Sequence, residues 1–443
     1  YKGFKQYLNT TLPTNSLEAA ETFEQNKSIP GLDFLINGLN PSDLIDSGSR
    51  YTCAYLQNGT LACWGLNTNG ELGQGFVSSL AAGSIQKYPN AQYIDLESTT
   101  RIRQVTGGTN HGCIVLDDGS LSCWGANNYY QLGRGYSNSS ATNLSATPVI
   151  VDLGSGVKVT QVAAGDSHTC VLTELGGIKC WGKNGAGQVG AGYKNTSGTY
   201  SVHTPIDVNL GIGRSAVTIT AGDEYTCAIL DDGNLVCWGL NWKGQLGDGT
   251  VTDRSSPQTV DLGYGRTAVA IGAASSHTCA ILDNGNVKCW GFNGDGSVGD
   301  GTWTDRRTPV KVDLGTNTAK QISTGERHTC VILDDDSIKC WGANDRGQIG
   351  NGKTSDQRSP KAVNLGSGRS AIGLTTGDQF TCVVLDTRNI SCWGSNFYGQ
   401  LGLGNLTLGT PYGLTTPNLL TNLTQRIAGT VRQGEWYGGA SQL

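Results

Sequence analysis

The chain has 443 residues, a formal net charge of −5 and 15% charged residues. That balance leaves no basic footprint for a nucleic acid, and no apolar run approaches the roughly 18 residues of a membrane-spanning helix. With Gly 65, Cys 14 and Met 0, the composition suits many short strands and tight turns, and the start at Tyr1 reads as a processed mature chain.

Residues 1–43 contain Pro13, Pro30 and Pro41 and show no clear hydrophobic period. They are expected to form an N-terminal extension, an arm available for assembly. A repeating region follows over 44–424, opening with a short strand at Leu44–Ser47. Seven cysteine pairs then appear: Cys53/Cys63, Cys113/Cys123, Cys170/Cys180, Cys227/Cys237, Cys279/Cys289, Cys330/Cys340 and Cys382/Cys392. Partners are always ten residues apart, and the second always opens Cys-Trp-Gly. First cysteines recur at intervals of 60, 57, 57, 52, 51 and 52 residues. A period in this range marks an array of supersecondary units.

One unit reads His277-Thr-Cys-Ala-Ile-Leu-Asp-Asn-Gly-Asn-Val-Lys-Cys-Trp-Gly291. Two β-rich runs around an Asp-Asn-Gly turn specify a hairpin. A three-residue loop, Asp283-Asn284-Gly285, sets Leu282 opposite Asn286 and Cys279 opposite Cys289. Such a loop is a type I turn followed by a left-handed residue, a place that glycine takes without steric cost. Gly59, Gly119, Gly176, Gly233 and Gly285 hold that place. Asp336 and Arg388 hold it in the last two units and are expected at positive φ. Facing Cβ atoms on paired strands lie about 4.5–5.5 Å apart, near the span of a disulfide. One intra-hairpin disulfide per unit is therefore predicted, with reduced, buried pairs as the alternative. Zinc is disfavoured, because its ligands usually come in Cys-x-x-Cys knuckles.

A shorter strand precedes each hairpin, as at Val159–Ala164, Val217–Ala221, Val269–Ala273, Lys320–Thr324 and Ala371–Thr376. After each Cys-Trp-Gly comes a glycine-punctuated loop such as Asn241-Trp-Lys-Gly-Gln-Leu-Gly-Asp-Gly249. A Thr-Pro or Ser-Pro then leads into a Val-Asp-Leu strand, as at Thr308–Leu314. Four antiparallel strands repeated seven times suit an all-β, seven-bladed β-propeller. Ring closure is expected to place the strand at 44–47 in one blade with a strand near 417–424. Residues 425–443, which end in Gln433-Gly-Glu-Trp-Tyr-Gly-Gly439, read as a C-terminal tail.

The unit resembles the regulator of chromosome condensation repeat. The shared pattern, His-Thr-Cys/Ala-x-Leu-x-x-x-Gly-x-Val-x-x-Trp-Gly-x-Asn-x-x-Gly-Gln-Leu-Gly-x-Gly, is clearest in Tyr225–Thr250 and His328–Gly352. The resemblance covers about residues 44–424 and implies a seven-bladed propeller. The cysteine pairs depart from it and look like a secreted, disulfide-stapled branch. That departure weighs against the nucleotide-exchange activity of the family's namesake.

Disulfides in this number imply an oxidising compartment. Nine Asn-x-Ser/Thr sequons point the same way: Asn9, Asn26, Asn58, Asn138, Asn143, Asn195, Asn389, Asn405 and Asn422. A secreted, glycosylated protein is expected.

Trp64, Trp124, Trp181, Trp238, Trp290, Trp341 and Trp393 follow the second cysteines and are assigned to the core between blades. Trp242, Trp303 and Trp436 fall outside that series and are the candidate partner contacts. His111, His168, His277 and His328 share their place with Tyr51, Tyr225 and Phe380, which argues packing. Asp117, Asp231, Asp283, Asp334 and Asp386, with Glu174, begin the hairpin loops. They are expected to cap those turns, with a rim of carboxylates for cations or a basic partner as the sharper alternative. Asn293-Gly-Asp-Gly-Ser297 is only superficially like a calcium loop, since it lacks the downstream bidentate glutamate.

No nucleophile–base constellation, phosphate loop or metal-histidine spacing emerges. No catalysis, cofactor or metal is expected. The reading favoured at this level is a structural protein that self-associates through its arms into a fibre or surface layer. The alternative is a secreted module holding a protein or glycan, as inhibitor-like relatives of the repeat family imply.

Overall fold

The computed structural model describes residues 44–55, 60–77, 87–94, 101–135, 144–197 and 200–403. Its strands fall into seven antiparallel sheets, and every strand pairs with its neighbour in sequence. The fold is an all-β, seven-bladed propeller. In the fifth blade the strands Ala268–Ala273, His277–Leu282, Val287–Gly291 and Arg306–Val312 run outward from the axis. Six blades have four described strands. The seventh has three, Ala371–Thr376, Phe380–Leu385 and Ile390–Gly394, and the residues after 403 lie outside the described set.

Strand order defines two rims. Connections from first to second strand and from third to fourth lie at one end, the loop rim. Hairpin tips and the connections between blades lie at the other, the hairpin rim.

In all seven hairpins the cysteines face one another. The disulfides are Cys53–Cys63, Cys113–Cys123, Cys170–Cys180, Cys227–Cys237, Cys279–Cys289, Cys330–Cys340 and Cys382–Cys392, with Cα atoms 4.0–4.1 Å apart. The alternative of reduced pairs is overturned, and among the described residues no cysteine is free. The turn explains the spacing. Leu282 N donates to Asn286 O, and Gly285 N to Leu282 O, both at 2.8 Å. Counting along the strands from that bonded pair, alternation makes Cys279 and Cys289 a non-hydrogen-bonded pair, where facing residues come closest. Gly285 sits at φ +75°, and Asp336 and Arg388 both adopt +63° as expected. Gly59 lies outside the described residues.

The strand carrying the second cysteine is less regular than its sequence suggests. Its ladder to the fourth strand shifts register just past Cys63, Cys123, Cys180, Cys237, Cys289 and Cys340. The glycine of Cys-Trp-Gly takes positive φ there, as at Gly239 (+111°) and Gly291 (+102°). In the seventh blade Cys392 pairs inward with Cys382.

Near its start, the first strand of blades two to seven slips register once. The extra residues are Arg103, Thr160, Val217, Val269, Lys320 and Ile372, and a bulge of this kind re-aims its side chain.

The apolar core lies between blades. A cluster of Ile45, Trp64, Phe380, Cys382, Ile390 and Leu401 joins the seventh blade to the first. Asp378 N also donates to Ser49 O at 3.1 Å, and Thr375 Oγ1 to Asp46 Oδ1 at 2.9 Å. Among the described residues the seventh and first blades thus meet through blade-to-blade packing. The expected partner of 44–47 near 417–424 falls outside the described residues. Ile45–Ser47 heads a blade completed by Tyr51–Tyr55, Leu61–Leu66 and Lys87–Ile94. Its ladder runs to the adjacent strand, Ile45 opposite Ala54, because a short turn links them directly.

Candidate functional site

The most repeated polar arrangement is structural. All seven tryptophans that follow a cysteine are buried. Trp290 Nε1 donates to the Gln245 carbonyl of the preceding blade at 2.9 Å, and Thr278 Oγ1 donates to the same oxygen at 2.7 Å. The same two bonds pair Trp64 and Thr52 on Gln400, Trp181 and Thr169 on Gln131, and Trp238 and Thr226 on Gln188. Trp341 with Thr329 and Trp393 with Thr381 repeat them on Ser297 and Gln348. Trp124 reaches the Glu71 carbonyl alone, since Gly112 stands where the threonine would be.

The histidines extend this lattice. His277 Nε2 lies 2.8 Å from Thr329 Oγ1. That hydroxyl gives its one proton to Ser297 O, so the ring nitrogen is the donor. Nδ1 is then an unprotonated acceptor, and it has no partner. His111, His168 and His328 repeat the contact to Thr169, Thr226 and Thr381 at 2.9 Å. Burial pushes His111 down to about 4, and His168, His277 and His328 to about 3. The rings are neutral and packed, which agrees with the sequence reading.

The hairpin-loop carboxylates need a correction. The turn is capped by the residue after the one expected. Asp118, Asp232, Asn284 and Asp335 accept from the backbone amide two residues on, at 2.9–3.1 Å. The first loop residue turns instead toward the connection entering its own blade. Asp231 Oδ1 accepts from Ser215 N at 3.3 Å, and Asp334 Oδ1 from Thr318 N at 3.3 Å. Arginines pair with several of these acids: Arg103 with Asp117, Arg214 with Asp231, Arg266 with Asp283 and Arg369 with Asp386. The rim of carboxylates is thus largely neutralised within the molecule. Asp295, in the segment superficially like a calcium loop, is held by Arg327 through two bonds of 2.6 and 2.5 Å.

A different chemistry gathers on the loop rim. An axial cavity of about 300 Å³ is lined by the first strands of all seven blades. At its loop-rim mouth six blades offer the residue four before their first cysteine, Ser49, Thr109, Asp223, Ser275, Glu326 and Asp378; the remaining such residue, Asp166, lies beside it, its amide donating to Asp223 O at 2.9 Å. Four of these seven places are acidic, and Asp223, Glu326 and Asp378 border the cavity itself. Burial, reinforced by the charge of Asp166, pushes Asp223 up to about 6. Burial, reinforced by Glu326, pushes Asp378 up to about 7. Burial also raises Glu326. Arg50 is one nearby cation, with Nε 3.7 Å from Asp378, and Arg327 also acts on Glu326.

Beside this mouth lies a second cavity of about 500 Å³, lined by Arg50, Glu326, Arg346, Asp378, Phe397 and Tyr398. The Arg50 guanidinium stands 5.1 Å over the Tyr398 ring, and Phe397 meets Tyr398 edge-on at 5.0 Å. Trp242 and Trp303 lie in third-to-fourth loops on the same rim, 58% and 46% exposed. Lys243 Nζ is 4.7 Å from the Trp242 ring and 5.0 Å from Phe292. Arg358 is 5.9 Å from Trp303. Trp436 lies outside the described residues.

The sequence reading missed the acidic mouth, although a signal was present. The place four before the first cysteine is Asp or Glu in four of seven repeats. It falls in a short connection, and only ring closure makes residues about 50 apart in the chain converge.

Of the sequons, Asn195 and Asn389 are described, and Asn9, Asn26, Asn58, Asn138, Asn143, Asn405 and Asn422 lie outside. Asn195 is held in its loop, with Nδ2 donating to Ser201 O at 3.2 Å. Asn389 follows the seventh hairpin tip. Among the described residues no group of three or more His, Cys, Asp or Glu is arranged to hold a metal ion. Among them, no helix is long and apolar enough to cross a membrane.

The RCC1-like domain matches residues 78–433, and the regulator of chromosome condensation (RCC1) repeat matches residues 44–71. The chain is 29% identical over 363 residues to the Ultraviolet-B receptor UVR8 of Arabidopsis thaliana, covering 82% of this chain and 78% of that protein. It is 28% identical over 288 residues to the E3 ubiquitin-protein ligase HERC2 of Homo sapiens, covering 64% of this chain but 6% of that protein. Human WBSCR16 superposes with a TM-score of 0.69 at 20% identity, covering 80% of this chain and 94% of that one. Prp20p from Saccharomyces cerevisiae superposes with a TM-score of 0.66 at 19% identity, covering 87% and 85%. These two likenesses show the fold. With the repeat, the seven blades and the match over most of its length, the chain belongs to the RCC1-like domain family.

Proposed function

We propose that the chain is a non-enzymatic, secreted propeller that holds a protein partner on its loop rim. The supporting observation is the grouping there of exposed aromatic rings, adjacent cations and a buried acidic mouth. Trp, Tyr and Arg are the residues that carry most binding energy at interfaces. Fold alone names no partner, since relatives include a receptor and a ligase. Secretion is supported by the seven disulfides, which need an oxidising compartment. Glycosylation is supported by Asn389, beside an exposed hairpin tip.

Cross-linking in the native extracellular medium tests the reading. Cross-links should map to the loop rim and disappear in W242A/F397A, whose side chains are exposed enough to remove without unfolding. Cross-links unchanged in that variant, or mapping only to outer strands, would sink it. A glycan in place of a protein would appear as retention on a glycan array that the same variant abolishes. The fibre reading rests on residues 1–43 and 425–443, which lie outside the described set. Its support is the durability that seven disulfides confer. Deleting 1–43 should then leave a folded propeller that no longer polymerises.

A further inference from the structure

We propose that an apolar arc on the hairpin rim of blades three to five is the contact between two copies of this chain. The arc consists of Leu175, Ile212, Val217, Tyr264 and Val269. Ile212 and Tyr264 are fully exposed, Leu175 is 93% exposed, and Val217 and Val269 are 54% and 60% exposed.

Equivalent places in other blades are polar, save Ile372, the half-buried bulge residue of the seventh blade. The position of Ile212 and Tyr264, inside a Gly-x-Gly turn between blades, is Ser155 and Ser367 elsewhere. The bulge position of Val217 and Val269 is Arg103, Thr160 and Lys320 in three other blades. The position of Leu175 is Asp118, Asp232, Asn284 and Asp335, the residues that cap their turns. The third blade gives up that cap, and Thr173 Oγ1 accepts from Gly177 N at 3.1 Å in its place. The fold therefore does not need apolar side chains at these places. Five of them are exposed at the same end of three adjoining blades, and large apolar side chains gathered on a surface are the usual mark of an interaction site.

The charges beside the arc select the occupant. Arg214 pairs with Asp231 at 3.1 Å and also with Asp232, and Arg266 pairs with Asp283 at 3.0 Å. Each of the two blades thus sets an arginine and an aspartate beside its protruding apolar residue. A surface with both signs in alternation is complementary to itself across a twofold axis, where residue i meets j and j meets i. A strongly basic or acidic partner would find no single-sign field to steer it. The contact is independent of the loop rim, so a dimer leaves both loop rims free.

Sedimentation velocity of the full chain over a concentration series tests this. The wild type should reach a dimer, and I212D/Y264D should weaken association at least tenfold. L175D is the second variant: aspartate is native at that place in other blades, so it keeps the fold, and it should also weaken the dimer. W242A/F397A should associate like the wild type. A wild type that stays monomeric, or dimers unaffected by I212D/Y264D and L175D, overturns the proposal. Association lost only in W242A/F397A, or only on deleting 1–43, does so as well.

Discussion

Trp238 donates from Nε1 to the carbonyl of Gln188 in the preceding blade, at 3.0 Å. The bond joins two features that sequence reading treats separately: the tryptophan after the second cysteine and the Gly-Gln-Val-Gly loop of the previous repeat. Blades are therefore coupled in one direction around the ring, each indole reading the backbone of the blade before it.

Replacing this indole should separate its two contributions. Trp238→Phe keeps most of the apolar burial and loses one hydrogen bond, while Thr226 still satisfies the Gln188 oxygen. A loss of about 1 kcal/mol is expected. Trp238→Ala opens a cavity and should cost roughly 3–5 kcal/mol. Denaturant unfolding of both variants measures the difference; equal losses would mean that the bond, and not the packing, dominates.

The four buried histidines make stability depend on pH. Their folded pKa values, about 3 to 4, lie below the unfolded value near 6.5. Their contribution is fully present above pH 6.5 and is lost as pH falls toward 4. Asp223 and Asp378 act in the opposite sense: raised to about 6 and 7, they stabilise at low pH, and that stability is lost as pH climbs from 3.8. His277→Phe isolates one histidine, because Phe380 fills the same place in the seventh blade. Between pH 6 and 4 the variant should lose about 1.4 kcal/mol less per pH unit than the wild type. Parallel stability curves would refute a buried neutral ring.

Asp378→Asn removes a carboxyl that burial disfavours when charged. The variant should gain stability at pH 8 and show little change at pH 4, where the native group holds its proton. Thermal unfolding at both values checks this, and an equal effect at the two pH values would rule it out.

Both sulfurs of every disulfide are buried. Reductant without denaturant should leave all seven intact, and free thiols should appear only after unfolding, as counted by alkylation and mass spectrometry. Cys279→Ala with Cys289→Ala should cost roughly 2–3 kcal/mol, the usual value for a short closed loop.

Asp336 occupies a left-handed position that glycine fills in four described hairpins. Asp336→Gly relieves that backbone cost and gives up an exposed ion pair with Lys320, which contributes little. A gain of up to about 1 kcal/mol is expected. A loss would show that the Lys320 pair outweighs the strain.

What is local and periodic could be read from the chain alone. The ten-residue spacing sets Cys279 across from Cys289 because a three-residue turn dictates register for both strands. The same turn forecast positive φ at Asp336 and Arg388, and strand alternation assigned the seven tryptophans to the inter-blade core. The ring decided the rest. Asp223, Glu326 and Asp378 become neighbours only because seven blades bring equivalent connections to one axis. Asp231 and Asp334 reach the connection entering their own blade, which no hairpin-level rule could place. Leu175, Ile212 and Tyr264 look like ordinary substitutions in separate repeats until the fold sets them at one end of adjoining blades. Local hydrogen-bond geometry is written in short intervals of sequence, whereas convergence at an axis or along a rim depends on distances between residues that closure alone makes short.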